Sequence, residues 1–337
     1  MNTKQYILLI MSSLLLLVAS CRKADYHVST VIKATDKTNI NTIFASLRTH
    51  PEFFDVEAGV YSEIRASKGT RFRFYPYSFK DKSGHIITSG IVRISVIEMY
   101  GAGASIANRS VSLSGNQLLH NTGQVYITGS MNGEEIGVNK YGIDFITATH
   151  LSTPMALYYG FDNYEDLLVR WMRVGNMTGT AVTGTIVDTM TVVVIDTAHT
   201  LDTGHIYRNY NQFDSCGALY WVSSQYPAWT TTDLTNISVI PSDTSFDASN
   251  TAVFVVFADF NAAVGVGDYN NQTHTFSLTP GYTIPMETRI DIVTIGYKGG
   301  LLYYSVQKDI TLTEAMTFTP VMEPHTVGEV LNLLAML

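Results

Sequence analysis

The 337-residue chain carries 21 basic and 29 acidic side chains, a net charge of −8, with two cysteines and only 15% charged residues. An acidic balance with no cluster of Lys or Arg excludes the concentrated positive charge that nucleic-acid phosphates demand, so no nucleic-acid partner is expected. Two cysteines cannot build a disulfide framework, so the core must come from burial alone. Tyr (20) and Phe (15) are abundant, as are Thr and Val, residues that suit pleated, half-buried surfaces, and the length accommodates two or three domains at about 100–200 residues each.

The first apolar segment, Ile7 to Ala19, follows Lys4 and is interrupted by Ser12 and Ser13. It falls short of the roughly 20 apolar residues a membrane span needs. A basic start, a short apolar core and small residues after it are the layout of a secretory signal. Val18-Ala19-Ser20-Cys21 resembles the lipobox of bacterial lipoproteins. That resemblance implies cleavage before Cys21 and a diacylglyceryl group on its sulfur, often with a further acyl chain on the new amino terminus. Two or more chains suffice for stable anchoring. The expectation is a signal peptide over 1–20, a lipid-anchored tether over 21–50, and a chain attached to a membrane rather than spanning it. A plain signal with a chance cysteine is the alternative, and the scarcity of cysteine argues against it.

Within the tether, Thr42 to Leu47 fits one helical turn or a short strand. From Gly69 the pattern is alternating: Phe72 and Phe74 share one face and Arg71 and Arg73 the other, a period of two. Asp81 to Gly84 supplies a turn. Gly90 to Glu98 alternates again, with Val92, Ile94 and Val96 together. Asn132-Gly133 between two strand-like runs predicts a hairpin, because both residues tolerate positive φ. Leu167, Leu168, Trp171 and Met172 recur at helix-like spacing, so a short helix or irregular crossover is expected in 161–173. Thr180 to Ile195 returns to strand chemistry. A second unit is expected from near Ser215, with strands over Ala252–Phe257, Ile290–Ile295 and Leu301–Val306, and a turn at Lys298-Gly299-Gly300. Thr326 and Glu329 fit a capping box opening a C-terminal helix whose apolar side is Val330, Leu331, Leu333, Leu334 and Leu337. Short strands at about ten-residue intervals without helical periods predict an all-β fold. The reading is two antiparallel β-sandwich (Ig-like) domains, over 51–210 and 211–337, the second ending in the short helix.

The stretch from Gly69 to Gly160 resembles a β-sandwich module of uncharacterised lipoproteins of the Bacteroidetes. Gly69, Thr70, Pro76, Phe79, Asp81 and Gly84 follow in the module's order, then Gly90, Val92, Ile94, Val96 and Glu98, then Leu119 and Gly123. Tyr75 departs from the pattern as an extra residue before Pro76. A more distant likeness is to a sandwich domain of ankyrins and netrin receptors. The resemblance implies a fold and a cell-envelope, outer-membrane setting, and brings no activity with it. Arg22-Lys23-Ala24-Asp25 lacks the acidic run associated with surface export in that group, which implies a periplasmic face, with the cell surface as the alternative.

Chemistry-bearing motifs are sparse. Gly129 to Gly133 has its serine one place early for a nucleophile elbow, and Gly101-Ala102-Gly103-Ala104 is not followed by a helical run, so a mobile loop is expected there rather than a phosphate cradle. His199 and His205 with Asp196 and Asp202 form the best metal-ligand pattern, yet polar loop residues of this kind are usually solvated, and no metal or cofactor is expected. Asp259, Asp268, Asn270 and Asn271 lack the spacing of a calcium loop. Cys216 reads as a small buried hydrophobe rather than a thiol nucleophile. The aromatic cluster Tyr220, Trp221, Tyr226 and Trp229 supplies the ligand-binding candidates, Trp229 first, since exposed flat rings stack on sugars or peptides; core packing is the alternative, above all for Trp221. The expected role is a non-enzymatic structural or interaction module of the envelope, tethered to the membrane by its N-terminal lipid, with an envelope protein or glycan as partner. The alternatives are a glycan- or peptide-binding accessory lipoprotein, and a hydrolase whose site is too scattered to recognise.

Overall fold

The computed structural model describes residues 38–147, 155–162, 168–178, 180–186, 206–228, 233–280 and 282–337. The signal peptide, Cys21, Val192–Ile195, the histidine–aspartate segment 196–205 and Trp229 lie outside them. The protein is mostly β, with antiparallel sheets and a short C-terminal helix.

Alternating sequence produces the first pair of sheets. Sheet I runs in the order Glu52–Glu57, Ile91–Met99, Gln117–Met131, Tyr220–Pro227, Ala156–Asp162, Val169–Thr178. Sheet II runs Thr180–Ile186, Ile206–Cys216, Tyr141–Thr147, Arg71–Phe74, Ser62–Arg65. Their facing residues form one cluster: Val92, Ile94, Val96, Val125 and Ile127 from sheet I meet Phe72, Phe74, Tyr141, Ile143 and Phe145 from sheet II. The hairpin at Asn132-Gly133 has both residues at positive φ, 53° and 80°, and Met131 pairs with Glu134 across it. Residues 211–227, given to the second unit by the sequence reading, pair with these first sheets: Phe213 lies opposite Ile143, and Val222 opposite Val125.

Several residues of the resemblance turn out to be physically linked. Glu98, 3% exposed, accepts hydrogen bonds from the backbone N–H of Lys68 (2.6 Å) and Thr70 (2.8 Å). Gly69 sits between them at φ 104°, where a side chain would be strained. Burial raises the Glu98 carboxyl above its usual range, and the hydrogen bonds from Thr70 and Lys68 work the other way. The acid near the end of sheet I's strand Ile91–Met99 thus closes the turn between Ser62–Arg65 and Arg71–Phe74 in sheet II.

The second half is built on sheet III, ordered Ala262–Gly265, Thr251–Phe257, Arg289–Lys298, Leu301–Thr311, Glu323–His325, with a smaller sheet containing Ile237–Val239. Ile237–Val239 and Met316–Phe318 pair in parallel. Gly299 and Gly300, both at positive φ, turn the chain between the two longest strands of sheet III. The halves belong to one compact unit. They are joined by Ser112, whose N–H donates to the Ala263 carbonyl at 2.7 Å, and by Asn261, whose side-chain amide donates to the Asn121 carbonyl at 3.0 Å.

Three local readings are corrected. Thr38–Leu47, inside the stretch read as tether, is a ten-residue helix. Ile40, Ile43, Phe44 and Leu47 recur at i, i+3, i+4, i+7 and are buried in the second half's core, each worth roughly 1.5–3 kcal/mol by transfer out of water. Ala102–Ala107, read as a loop, is a short helix with Ala102, Ile106 and Ala107 buried in the same core. Val169–Thr178, expected to be helical at its start, is a strand, because it pairs with Ala156–Asp162; Val169 and Trp171 point inward while Met172 is exposed. The C-terminal helix, Val327–Leu334, carries the capping box, and it buries Val330 and Leu334 while Leu331 remains exposed. Among the described residues no helix is long and apolar enough to cross a membrane.

Candidate functional site

The structure does not gather the described members of the aromatic cluster into an open platform. Trp221 is 6% exposed and packs against Tyr126 with ring centroids 4.7 Å apart, on the side of sheet I that the Ala102–Ala107 helix covers. Tyr220 is half-buried, adopts φ 74°, and donates its hydroxyl hydrogen bond to Glu135. Tyr226 stacks on His120 at 4.7 Å and 18°, with 2.9 Å between its hydroxyl and Nδ1. Trp221 packs among the buried Ile97, Met99, Leu119 and Trp171 on that face of sheet I, which is why it fills a core.

Cys216 is fully buried, with its sulfur 3.6 Å from the Tyr159 hydroxyl and 3.6 Å from the Ala218 carbonyl. Burial pushes its thiol up, away from the thiolate a nucleophile needs. Among the described residues no group of three His, Cys, Asp or Glu side chains could hold a metal ion.

An open aromatic surface occurs elsewhere, at Tyr75-Pro76-Tyr77-Ser78. Pro76 presets φ at the first corner of the turn, and the Ser78 N–H donates to the Tyr75 carbonyl at 3.1 Å. Tyr77 takes the second corner at φ 68°. That position belongs to Gly or Asn; for other L-residues the left-handed region costs about 1–2 kcal/mol. The strained residue is over-determined by its neighbours. Ser78, 2% exposed, accepts from the Tyr75 N–H through Oγ (2.8 Å), and its carbonyl accepts from the Asn139 N–H (2.6 Å). Phe79 is fully buried against Phe74 at 5.1 Å. Tyr77 is thereby held 55% exposed, and no hydrogen bond to its side chain is found among the described residues. Tyr75, Pro76, Tyr77, Ser78, Asn139 and Lys140 line a hollow of about 340 Å³, at the lower end of small-ligand sites. Tyr61, also exposed, adds its ring 5.9 Å from that of Tyr75.

Beneath this surface lies a fixed charge ladder on the outer face of sheet II. Asp144, with its side chain 1% exposed, bridges Arg73 at 2.6 Å and Arg71 at 2.8 Å. Arg73 also donates to Asp214 at 2.9 Å and reaches the Tyr75 hydroxyl at 3.4 Å. Arg71 lies over the Tyr210 ring at 4.2 Å, and Arg65 donates to the Tyr210 hydroxyl at 2.8 Å. Burial drives the Asp144 carboxyl upward while Arg73 and Arg71 pull it back. Burial also opposes the Arg73 charge, but Asp144 and Asp214 outweigh it and raise its pKa. Lys140 differs from these cations: its ammonium sits 5.9 Å from the Tyr75 ring centroid, and no carboxylate pairs with it among the described residues.

A larger hollow of about 550 Å³ lies between the first helix, the Lys298–Leu301 turn and the start of the C-terminal helix. His325 and Glu329 in its lining face each other at 3.8 Å, and Glu329 is committed to the capping box.

The sequence pattern pointed at one part of the open surface without reading it: Tyr75 stood out as an extra residue before the proline, and Pro76 marked a turn. Nothing local announced that Tyr77 would be left-handed and exposed. No protein-family model matches the chain, and no curated protein is significantly similar to it.

Proposed function

We propose that the protein is a lipid-anchored protein of the cell envelope, held in the outer membrane through Cys21, that acts as a non-enzymatic interaction module and binds its partner through Tyr61, Tyr75 and Tyr77. In this reading each half is a sandwich-like unit, and the first presents the binding turn. The observation that carries the proposal is Tyr77: a large apolar ring held in solvent by a backbone conformation that costs free energy, on a turn whose flanking residues are buried. Strain kept in place by its surroundings clusters at ligand sites. The second left-handed tyrosine, Tyr220, is accounted for by its bond to Glu135 and its packing on Tyr126; Tyr77 has no such internal partner among the described residues.

Two measurements test the reading. Cys21→Ala should release the protein from the membrane fraction and abolish incorporation of an alkyne-labelled fatty acid; continued labelling would remove the anchor. On arrays of glycans and peptides, the Tyr77→Ala protein should lose the signals that the natural chain gives. Signals that survive the substitution would place binding elsewhere.

A further inference from the structure

Resting on that reading, we infer that the ligand of the Tyr75–Tyr77 hollow is an acidic carbohydrate, with a sugar ring on the exposed face of Tyr77 and its carboxylate at Lys140. The main-chain groups of the turn come first. The Tyr75 N–H and carbonyl, the Ser78 N–H and carbonyl, and the Asn139 N–H are all satisfied within the protein. An extended peptide, which gains affinity from main-chain pairing, finds no free backbone partner among these groups. Beside these satisfied groups the hollow presents two phenol rings, the Asn139 amide and one ammonium.

The lining is also shallow. Pro76, Tyr77, Asn139 and Lys140 are all exposed, so the hollow has no buried slot for an aliphatic side chain. It offers flat ring faces, whose negative quadrupole attracts the polarised C–H groups of a sugar, with polar groups at the rim for hydroxyls. Charge then narrows the class. Arg73 is engaged by Asp144 and Asp214, whereas among the described residues Lys140 meets only the Tyr75 ring. The chain as a whole is acidic, so attraction of an anion must be local, within the roughly 8 Å over which charge acts at physiological salt. A carboxylate on the bound sugar fits that cation; a neutral sugar leaves it unused.

The experiment uses the full mature chain and calorimetric titration with a panel of uronate and sialate oligosaccharides, the methyl ester of each, and an acidic Glu-rich peptide. At least one acidic oligosaccharide should bind, with its ester about tenfold weaker. Lys140→Gln should lower the acidic affinity about tenfold and erase both the ester gap and the salt dependence. Tyr77→Gly, which suits the left-handed backbone and so preserves the fold, should lose acid and ester alike. Equal binding of acid and ester, or no effect of Lys140→Gln, would overturn the acidic class while leaving the surface in place. Binding of the peptide alone, or of no probe, would overturn the carbohydrate inference. A ligand held equally well after Tyr77→Gly would overturn the reading of the surface itself.

Discussion

Asp144 stands directly opposite Arg71 in the strand register, yet its shortest ion pair, 2.6 Å, is with Arg73. The residue opposite Arg73 is Gly142, and a Cβ there would lie 2.9 Å from the Arg73 guanidinium. The missing side chain lets Arg73 lie across the sheet, so one buried carboxylate serves two guanidiniums. Asp144→Ala would leave both without that charge in a poorly solvated site. The expected cost is about 3–5 kcal/mol, the range for breaking a buried pair, read by urea unfolding at neutral pH. A loss below about 1 kcal/mol would mean that the ladder is an ordinary surface pair.

Gly103 makes a closer approach. A Cβ on it would lie 1.8 Å from the Leu334 carbonyl oxygen and 2.5 Å from the carbonyl carbon. Those are backbone atoms of the C-terminal helix and cannot rotate away. Gly103→Ala must push the two helices apart, and overpacking of this kind costs about 1–3 kcal/mol even though Ala is the better helix former by about 1 kcal/mol. Thermal denaturation should show a clear drop in Tm; a rise would place the helices further apart.

Much of the sheet chemistry was legible because alternation is local. Phe72 and Phe74, then Val92, Ile94 and Val96, announced their buried face, and Asn132-Gly133, Lys298-Gly299-Gly300 and Thr326 with Glu329 announced their turns and cap. The helix Thr38–Leu47 was also written in the spacing of Ile40, Ile43, Phe44 and Leu47, but a window opened at Thr42 hides the first member of that stripe. Leu168, Trp171 and Met172 carried a helical spacing that long-range pairing with Ala156–Asp162 overrode. The exposed Tyr77 was illegible for a similar reason: its conformation is held by Asn139, sixty-odd residues along the chain, and by the burial of Ser78 and Phe79.

Asp243 sets a pH dependence of opposite sense to that of the buried acids. Its carboxylate accepts from the Ser245 N–H at 2.9 Å and from Lys298 at 3.1 Å, and these bonds, led by the Ser245 backbone, lower its pKa from 3.8 to about 2. The folded state thus binds the proton less tightly than the unfolded chain. The resulting stabilisation is fully present above pH 3.8 and is lost as pH falls toward about 2. Carboxyl NMR titration should place the Asp243 midpoint near 2, and Asp243→Asn should flatten the acid limb of stability between those values. A midpoint near 3.8 would mean that the turn does not hold in solution.

The capping box can be tested in isolation. Thr326 accepts from the Glu329 N–H, and Glu329 accepts in return from the Thr326 N–H at 2.7 Å. A helix of eight residues is too short to persist on propensity alone, so the cap and the burial of Val330 and Leu334 must hold it. Thr326→Ala should cost about 1 kcal/mol, with Thr326→Asp or Thr326→Ser recovering most of it, as read by chemical denaturation. Failure of both replacements to recover stability would assign the loss to packing of the threonine methyl.

Tyr77 gives the sharpest separation of stability from binding. At an ordinary exposed site Gly is less stable than Ala by about 0.5–1 kcal/mol, because its unfolded chain is freer. At φ 68° the order should reverse, since Ala keeps the Cβ that makes the left-handed region cost about 1–2 kcal/mol and Gly removes it. Tyr77→Gly should therefore be more stable than Tyr77→Ala, and equal to or slightly above the natural protein, while both lose the aromatic face. Denaturation midpoints for the three proteins decide the point. If Ala proves the more stable, Tyr77 is not held in the left-handed region in solution, and the strain that motivates the binding surface is absent. If Gly is the more stable and the ring is still retained by the natural chain, then the tyrosine is kept at a cost in stability, as expected of a residue selected for contact with a ligand.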